Sequence, residues 1–77
     1  MQTLRELKPN DLRTPVAVYG EYAGRRYLIT HAPNWVTAEI VATDYAKHLG
    51  RACYYTTDKY DSTCIDGRAK DLRKAIN

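Results

Sequence analysis

Phenylalanine is absent from this 77-residue chain, whose aromatic side chains are seven tyrosines and one tryptophan. That absence excludes a core built on rings without polar atoms. Every ring here carries an O–H or N–H that needs a partner when buried. Either the buried hydroxyls are hydrogen-bonded, or several rings face outward and form a contact surface.

Other absences narrow the function classes. No apolar run approaches the roughly 20 residues of a membrane span, and Met1 is followed by a polar, charged stretch instead of the apolar centre of a signal peptide. No membrane association is expected, and the expected location is cytoplasmic. Glycine is sparse: Gly20, Gly24, Gly50 and Gly67 stand alone, each with a turn, bulge or cap explanation. A glycine-rich phosphate cradle is therefore missing, and no cofactor is expected.

Cysteine is limited to Cys53 and Cys64. They can pair only if the fold brings them together, and a reducing compartment keeps such residues as thiols, so both are expected as buried small apolar residues. With His31 and His48 they invite a zinc hypothesis. Its spacing of sixteen, four and ten intervening residues lacks a paired-ligand motif, so no metal is expected. As a thiol nucleophile, Cys53 would follow the negative end of a helix, which raises a thiol pKa. Cys64 has no evident orienting group. Asp58, Asp61 and Asp66 crowd one region, yet Lys59 and Arg68 among them give the pattern of a solvated loop. Nothing assembles a nucleophile, base and orienter, so a non-enzymatic protein is expected.

What is present fits one small globular unit. The composition is 44% hydrophobic and 27% charged, which argues against disorder, and the length suits a single domain spanning residues 1–77. Leu4 and Leu7 have helical spacing, with Pro9 set to stop any turn they form. Asn10 and Asp11 are turn formers. After Thr14-Pro15 the pattern becomes alternating: Val16, Val18, Gly20 and Tyr22 on one face, Ala17, Tyr19 and Glu21 on the other. Ala23-Gly24 supplies a turn and Arg26 to Thr30 returns, which predicts a hairpin.

His31-Ala32-Pro33 is a breaker, and Asn34 an N-cap, for a predicted helix over 35–49 closed by Gly50. Ala38, Ala42, Tyr45 and Leu49 share its core stripe, with Trp35 expected in the core and Val41 at the edge. Val36 and Ile40 lie almost opposite. The expectation is that a terminal segment covers this second stripe; the alternative is a docking patch.

Arg51 to Thr57 reads as a third strand, with Cys53 and Tyr55 on one face and Tyr54 and Thr56 on the other. Ser62 to Ile65 is either an edge strand or the approach to a last helix, in which Ala69, Leu72, Ala75 and Ile76 recur at helical spacing. The expected fold is α+β: an antiparallel sheet of three or four strands built on a hairpin, packed on one central helix, with a short C-terminal helix.

The net charge is +3, favouring polyanions or an acidic protein patch. Arg68, Lys70, Arg73 and Lys74 outnumber Asp66 and Asp71 near the C-terminus. Tyr19, Tyr22 and Tyr27 lie on the hairpin beside Arg25 and Arg26, while Tyr54, Tyr55 and Tyr60 lie on or beside the third strand with Arg51 and Lys59. Such interleaving suits single-stranded nucleic acid, by stacking and phosphate pairing. It equally suits a protein partner, because Tyr and Arg are hot-spot residues. Alternation sends Tyr19 and Tyr22, like Tyr54 and Tyr55, to opposite faces, so at least one of each pair should sit away from the core. The candidate contact set is Arg25, Arg26, Tyr22, Tyr27, Arg51, Tyr54 and Lys59.

Signatures of RNP, helix-turn-helix, zinc-finger and KH domains are missing. In its size and motif-free, single-domain character the whole chain resembles the small accessory proteins of phages and mobile elements, including anti-CRISPR inhibitors. A monomer is expected, and the resemblance implies an inhibitor that contacts a host nucleic-acid-handling complex directly. It also implies that Arg25 and Arg26 occupy positions on that complex that otherwise receive target DNA or present acidic side chains. The alternative is a small protein that binds nucleic acid itself through the Tyr/Arg surface.

Overall fold

The computed structural model of the chain describes residues 3–12, 16–55, 62–67 and 72–76. In chain order they form β1 (Arg5–Glu6), a 3₁₀ turn (Pro9–Leu12), β2 (Val16–Tyr22), β3 (Arg25–Ala32), α1 (Trp35–Leu49), β4 (Arg51–Tyr55), β5 (Ser62–Asp66) and α2 (Leu72–Ala75). The strands make one antiparallel sheet in the order β1-β3-β2-β4-β5. The architecture is α+β as expected, with five strands in place of three or four. The edges are β5, the strand alternative offered for Ser62 to Ile65, which pairs with β4 over its whole length, and β1, which was not expected and pairs with β3.

The hairpin turns at Ala23 and Gly24, where φ is +54° and +77°. Two consecutive left-handed residues match the natural twist of a two-residue hairpin. β3 runs further than predicted, because His31 and Ala32 pair with Ala17 and Val16. The chain breaks only at Pro33, where an extended strand can no longer donate to the ladder. A register shift between Val18 and Tyr19 leaves Ile29 as the extra residue of a bulge, buried in the core.

Helix α1 has the predicted bounds. Asn34 Oδ1 accepts from the Thr37 N–H at 2.9 Å, and Gly50, at φ +101°, donates its N–H to the Ala46 carbonyl at 3.1 Å. The helix crosses over β2 to deliver β4 to the far side of the hairpin. Ala38, Ala42 and Ala46 form its buried stripe with Leu49. Small side chains let the helix lie close on Val18, Ala52 and Tyr54, which share its core cluster. Tyr45 and Val41 flank the stripe half-buried.

Three expectations are corrected. The N-terminal segment carries a strand, not a helical turn, and Pro9 begins the 3₁₀ turn that follows; Pro is well placed at a first helical position because its missing N–H is not needed there. Trp35 is half-exposed and lies outside the core. At the first position of α1 it reaches past the buried stripe, which begins one turn later at Ala38. The second stripe of α1 is uncovered by any described residue: α2 lies beside α1, burying Leu72 and Ala75 in the same core, with Leu72 against Gly20. The expected positions Thr14, Pro15, Thr56, Thr57, Asp58, Lys59, Tyr60, Asp61, Arg68, Ala69, Lys70 and Asp71 lie outside the described residues.

Candidate protein-interaction surface

On the sheet face away from α1, the ladder sets Tyr19, Cys53 and Cys64 in one row. The two cysteines form a disulfide, in place of the separate buried thiols expected. Their Cα atoms are 4.0 Å apart, the close approach typical of directly opposed residues that share no backbone hydrogen bonds. The Glu21 carboxylate approaches the two sulfurs to within 4.8 Å. Bonded sulfur is not a thiolate, so this trio lacks the charge that a zinc ion needs from its ligands.

The predicted contact residues separate on this scaffold. The Arg26 guanidinium lies 5.5 Å above the Tyr19 ring and donates to the Tyr55 hydroxyl at 2.8 Å, and the two rings are 5.8 Å apart. Tyr19 is thereby buried although it faces away from α1. Its phenol pKa is pushed up by desolvation. Arg25 pairs with Glu6 at 3.2 Å. Arg51 bridges Glu21 at 3.2 Å and Asp66 at 3.8 Å. Tyr54 sits in the core beneath α1, where its hydroxyl donates to Glu39 at 3.2 Å; desolvation first, and that carboxylate second, push its pKa up. Tyr27 is half-buried against the core, Tyr22 is exposed at the hairpin end, and Lys59 lies outside the described residues.

Tyr22 and Tyr55 thus sit further out than Tyr19 and Tyr54. Stacking a base requires an accessible ring face. Arg26 covers Tyr19, and α1 covers Tyr54. Each hairpin and β4 arginine already has a side-chain partner, although exposed ion pairs of this kind are worth at most about 1 kcal/mol and exchange readily.

The accessible apolar surface lies on α1. Trp35, Val36 and Ile40 are 50%, 51% and 65% exposed. Val36 and Ile40 are one helical turn apart on the side opposite the buried alanines. Ile40 lines a shallow depression together with Glu39, Thr43, Asp44 and Lys47. Sequence patterning marks the Val36/Ile40 stripe but not its exposure, which depends on where α2 packs. The Arg26–Tyr19–Tyr55 stack had no signal of its own in the sequence, because it depends on the register of β2 with β3 and β4.

Among the described residues, no helix is long and apolar enough to cross a membrane. No protein-family model matches the chain, and no curated protein and no solved structure matches it either.

Proposed function

We propose that this chain is a non-enzymatic protein-binding module that docks on a larger partner through Trp35, Val36 and Ile40 of α1. The observation that carries the proposal is the inversion along that helix: over its first three turns alanines fill the buried stripe that ends in Leu49, while the larger Trp35, Val36 and Ile40 face solvent. Exposed apolar groups gathered on one rigid element, rimmed by Glu39, Asp44 and Lys47, have the make-up of an interface centre with a polar rim. Docking there would be hydrophobic first, with charge setting orientation.

The partner class follows from the anti-CRISPR-like resemblance: a host nucleic-acid-handling complex, inhibited by direct contact. The net charge of +3 supports approach to such a complex. Arg25 and Arg26 then serve as a secondary contact, released from Glu6 and Tyr55 on binding. The proposed location is cytoplasmic. Disulfides are uncommon there, so alkylation of a freshly quenched cell extract measures the location directly: free thiols at Cys53 and Cys64 support it, and a bonded pair places the protein in an oxidising compartment.

Capture from host lysate tests the surface. The partner should be retained by wild type and by Arg25→Glu/Arg26→Glu, and lost by Val36→Asp/Ile40→Asp, with circular dichroism showing both variants folded. Loss only in the arginine variant would move the site to the hairpin and overturn the α1 surface. A salt-sensitive shift of single-stranded DNA or RNA by wild type would replace it with direct nucleic-acid binding.

A further inference from the structure

The two edges of the sheet are built differently. β1 is two residues long, both charged, and Glu6 pairs with Arg25 of its neighbour; short length and charge are the usual devices that prevent a sheet edge from recruiting another strand. β5 runs for five residues, Ser-Thr-Cys-Ile-Asp, with no lysine, proline or bulge. Its composition favours strand, and its length is that of an ordinary internal strand.

The ladder identifies which backbone groups face outward. Gly67 donates its N–H to the Gly50 carbonyl at 2.7 Å, which makes this a hydrogen-bonded pair. Antiparallel pairs alternate. Ile65 with Ala52 and Thr63 with Tyr54 are therefore hydrogen-bonded too, whereas Asp66, Cys64 and Ser62 do not bond to β4. The N–H and C=O groups of Ser62, Cys64 and Asp66 consequently point away from the sheet. Among the described residues no strand receives them. Beside this edge runs an open groove of about 430 Å³, lined by Thr43, Ala46 and Lys47 of α1 and by Ile65, Asp66 and Gly67.

We infer that β5 pairs with β5 of a second copy of this chain, antiparallel about a two-fold axis at Cys64, to give a continuous ten-stranded sheet. The register follows from the outward groups. Pairing must set even-numbered residues opposite even-numbered ones, and only an axis at Cys64 engages the strand over its full length. Ser62 of one copy then faces Asp66 of the other, Thr63 faces Ile65, and Cys64 faces Cys64. No like charges are opposed, and a small polar residue meets each carboxylate. Displacing the axis to Thr63 or Ile65 leaves only part of the strand paired. On the α1 side, Thr63 and Ile65 of the second copy border the groove, adding β-branched cross-strand pairs. Such a dimer is isologous and closed, so the edge is consumed without starting a fibre. It replaces the monomer expected from the sequence and leaves Trp35, Val36 and Ile40 free for a different partner.

The test is molar mass by sedimentation equilibrium from low micromolar to millimolar concentration, joined to amide exchange. Wild type should dimerise with concentration, and protection of the Ser62, Cys64 and Asp66 amides should rise in step. Ser62→Asp sets two carboxylates opposite each other twice in the dimer and should weaken it roughly tenfold. Ser62→Lys should strengthen it, by meeting Asp66 of the other copy. Lysine on an edge weakens strand addition in general, so strengthening is particular to this register. Residue 62 donates no backbone bond to β4, but its side chain hydrogen-bonds the buried Tyr19 phenol. Ser62→Ala, which loses that bond without adding charge, is therefore the reference for both variants, and all three should keep the wild-type circular dichroism spectrum. A wild-type monomer throughout the range would overturn the inference, as would a dimer that ignores both substitutions or one weakened by both.

Discussion

Cys53 of β4 and Cys64 of β5 are direct cross-strand partners joined by a disulfide, so the edge strand is tied covalently to the sheet interior. The closed loop has a sequence separation of 11, for which loop-closure entropy alone gives a stabilisation of about 3 kcal/mol. Reduction, or Cys53→Ala/Cys64→Ala, should lower the urea midpoint by an amount equivalent to roughly 2–3 kcal/mol. An unchanged midpoint under reductant would mean that β5 is held by its ladder alone.

Ala23 occupies the left-handed region at φ +54°, beside Gly24 at +77°. An alanine there is disfavoured by about 1 kcal/mol, because its Cβ approaches the following carbonyl. Asparagine tolerates this conformation, and Asn-Gly is the preferred pair for such a turn. Ala23→Asn should therefore raise stability by roughly 0.5–1 kcal/mol in denaturant unfolding. Ala23→Val should lower it, since a β-branched residue at positive φ is strained.

Ala42 and Ile40 stand two positions apart on α1 with opposite exposure. Ala42→Leu has no room beneath the helix and should cost about 1–3 kcal/mol through overpacking. Ile40→Ala should change stability by less than about 0.5 kcal/mol, because nothing described packs over it. Thermal unfolding of the two variants separates these outcomes. A large loss in Ile40→Ala would show that its side chain is covered in solution and would remove it from the docking surface.

The helix, its caps and the first hairpin were legible because each is set by local chemistry: Asn34, Gly50, Ala23-Gly24 and strict alternation from Val16 onward. Strand β1 was not, since Leu4 and Leu7 have helical spacing and only the pairing of Arg5 and Glu6 with β3 makes them extended. The exposure of Ile40 turned on the position of α2, a packing decision that periodicity does not encode. The disulfide was hidden for a related reason. Ten residues separate Cys53 from Cys64, and they become partners only once β4 and β5 are known to be adjacent in one register. The tyrosines divided as alternation requires, but Tyr19 is buried on the face away from α1 by Arg26 and Tyr55, which no one-dimensional pattern reveals.

Asp11 gives the fold a defined acid limb. Arg5 donates to both carboxylate oxygens, at 2.9 and 2.7 Å, and the Lys8 N–H adds a third bond at 2.7 Å. The Arg5 hydrogen bonds, helped by Lys8 and by the positive charges of Arg5 and His31, hold the Asp11 pKa at about 2 against the opposing effect of its burial. An unfolded chain would protonate this carboxyl near its ordinary value of 3.8. The stabilisation it supplies is therefore complete above about pH 4 and lost as pH falls toward about 2, where the folded state also takes up the proton. Asp11→Asn keeps an acceptor for Lys8 but loses the charge. At pH 7 it should cost about 1–2 kcal/mol, and the gap between variant and wild type should close between pH 4 and pH 2. Urea unfolding at several pH values measures this directly. A difference that stays constant down to pH 2 would mean that shape at position 11, and not the charge held by Arg5, stabilises the turn that carries β1 into β2.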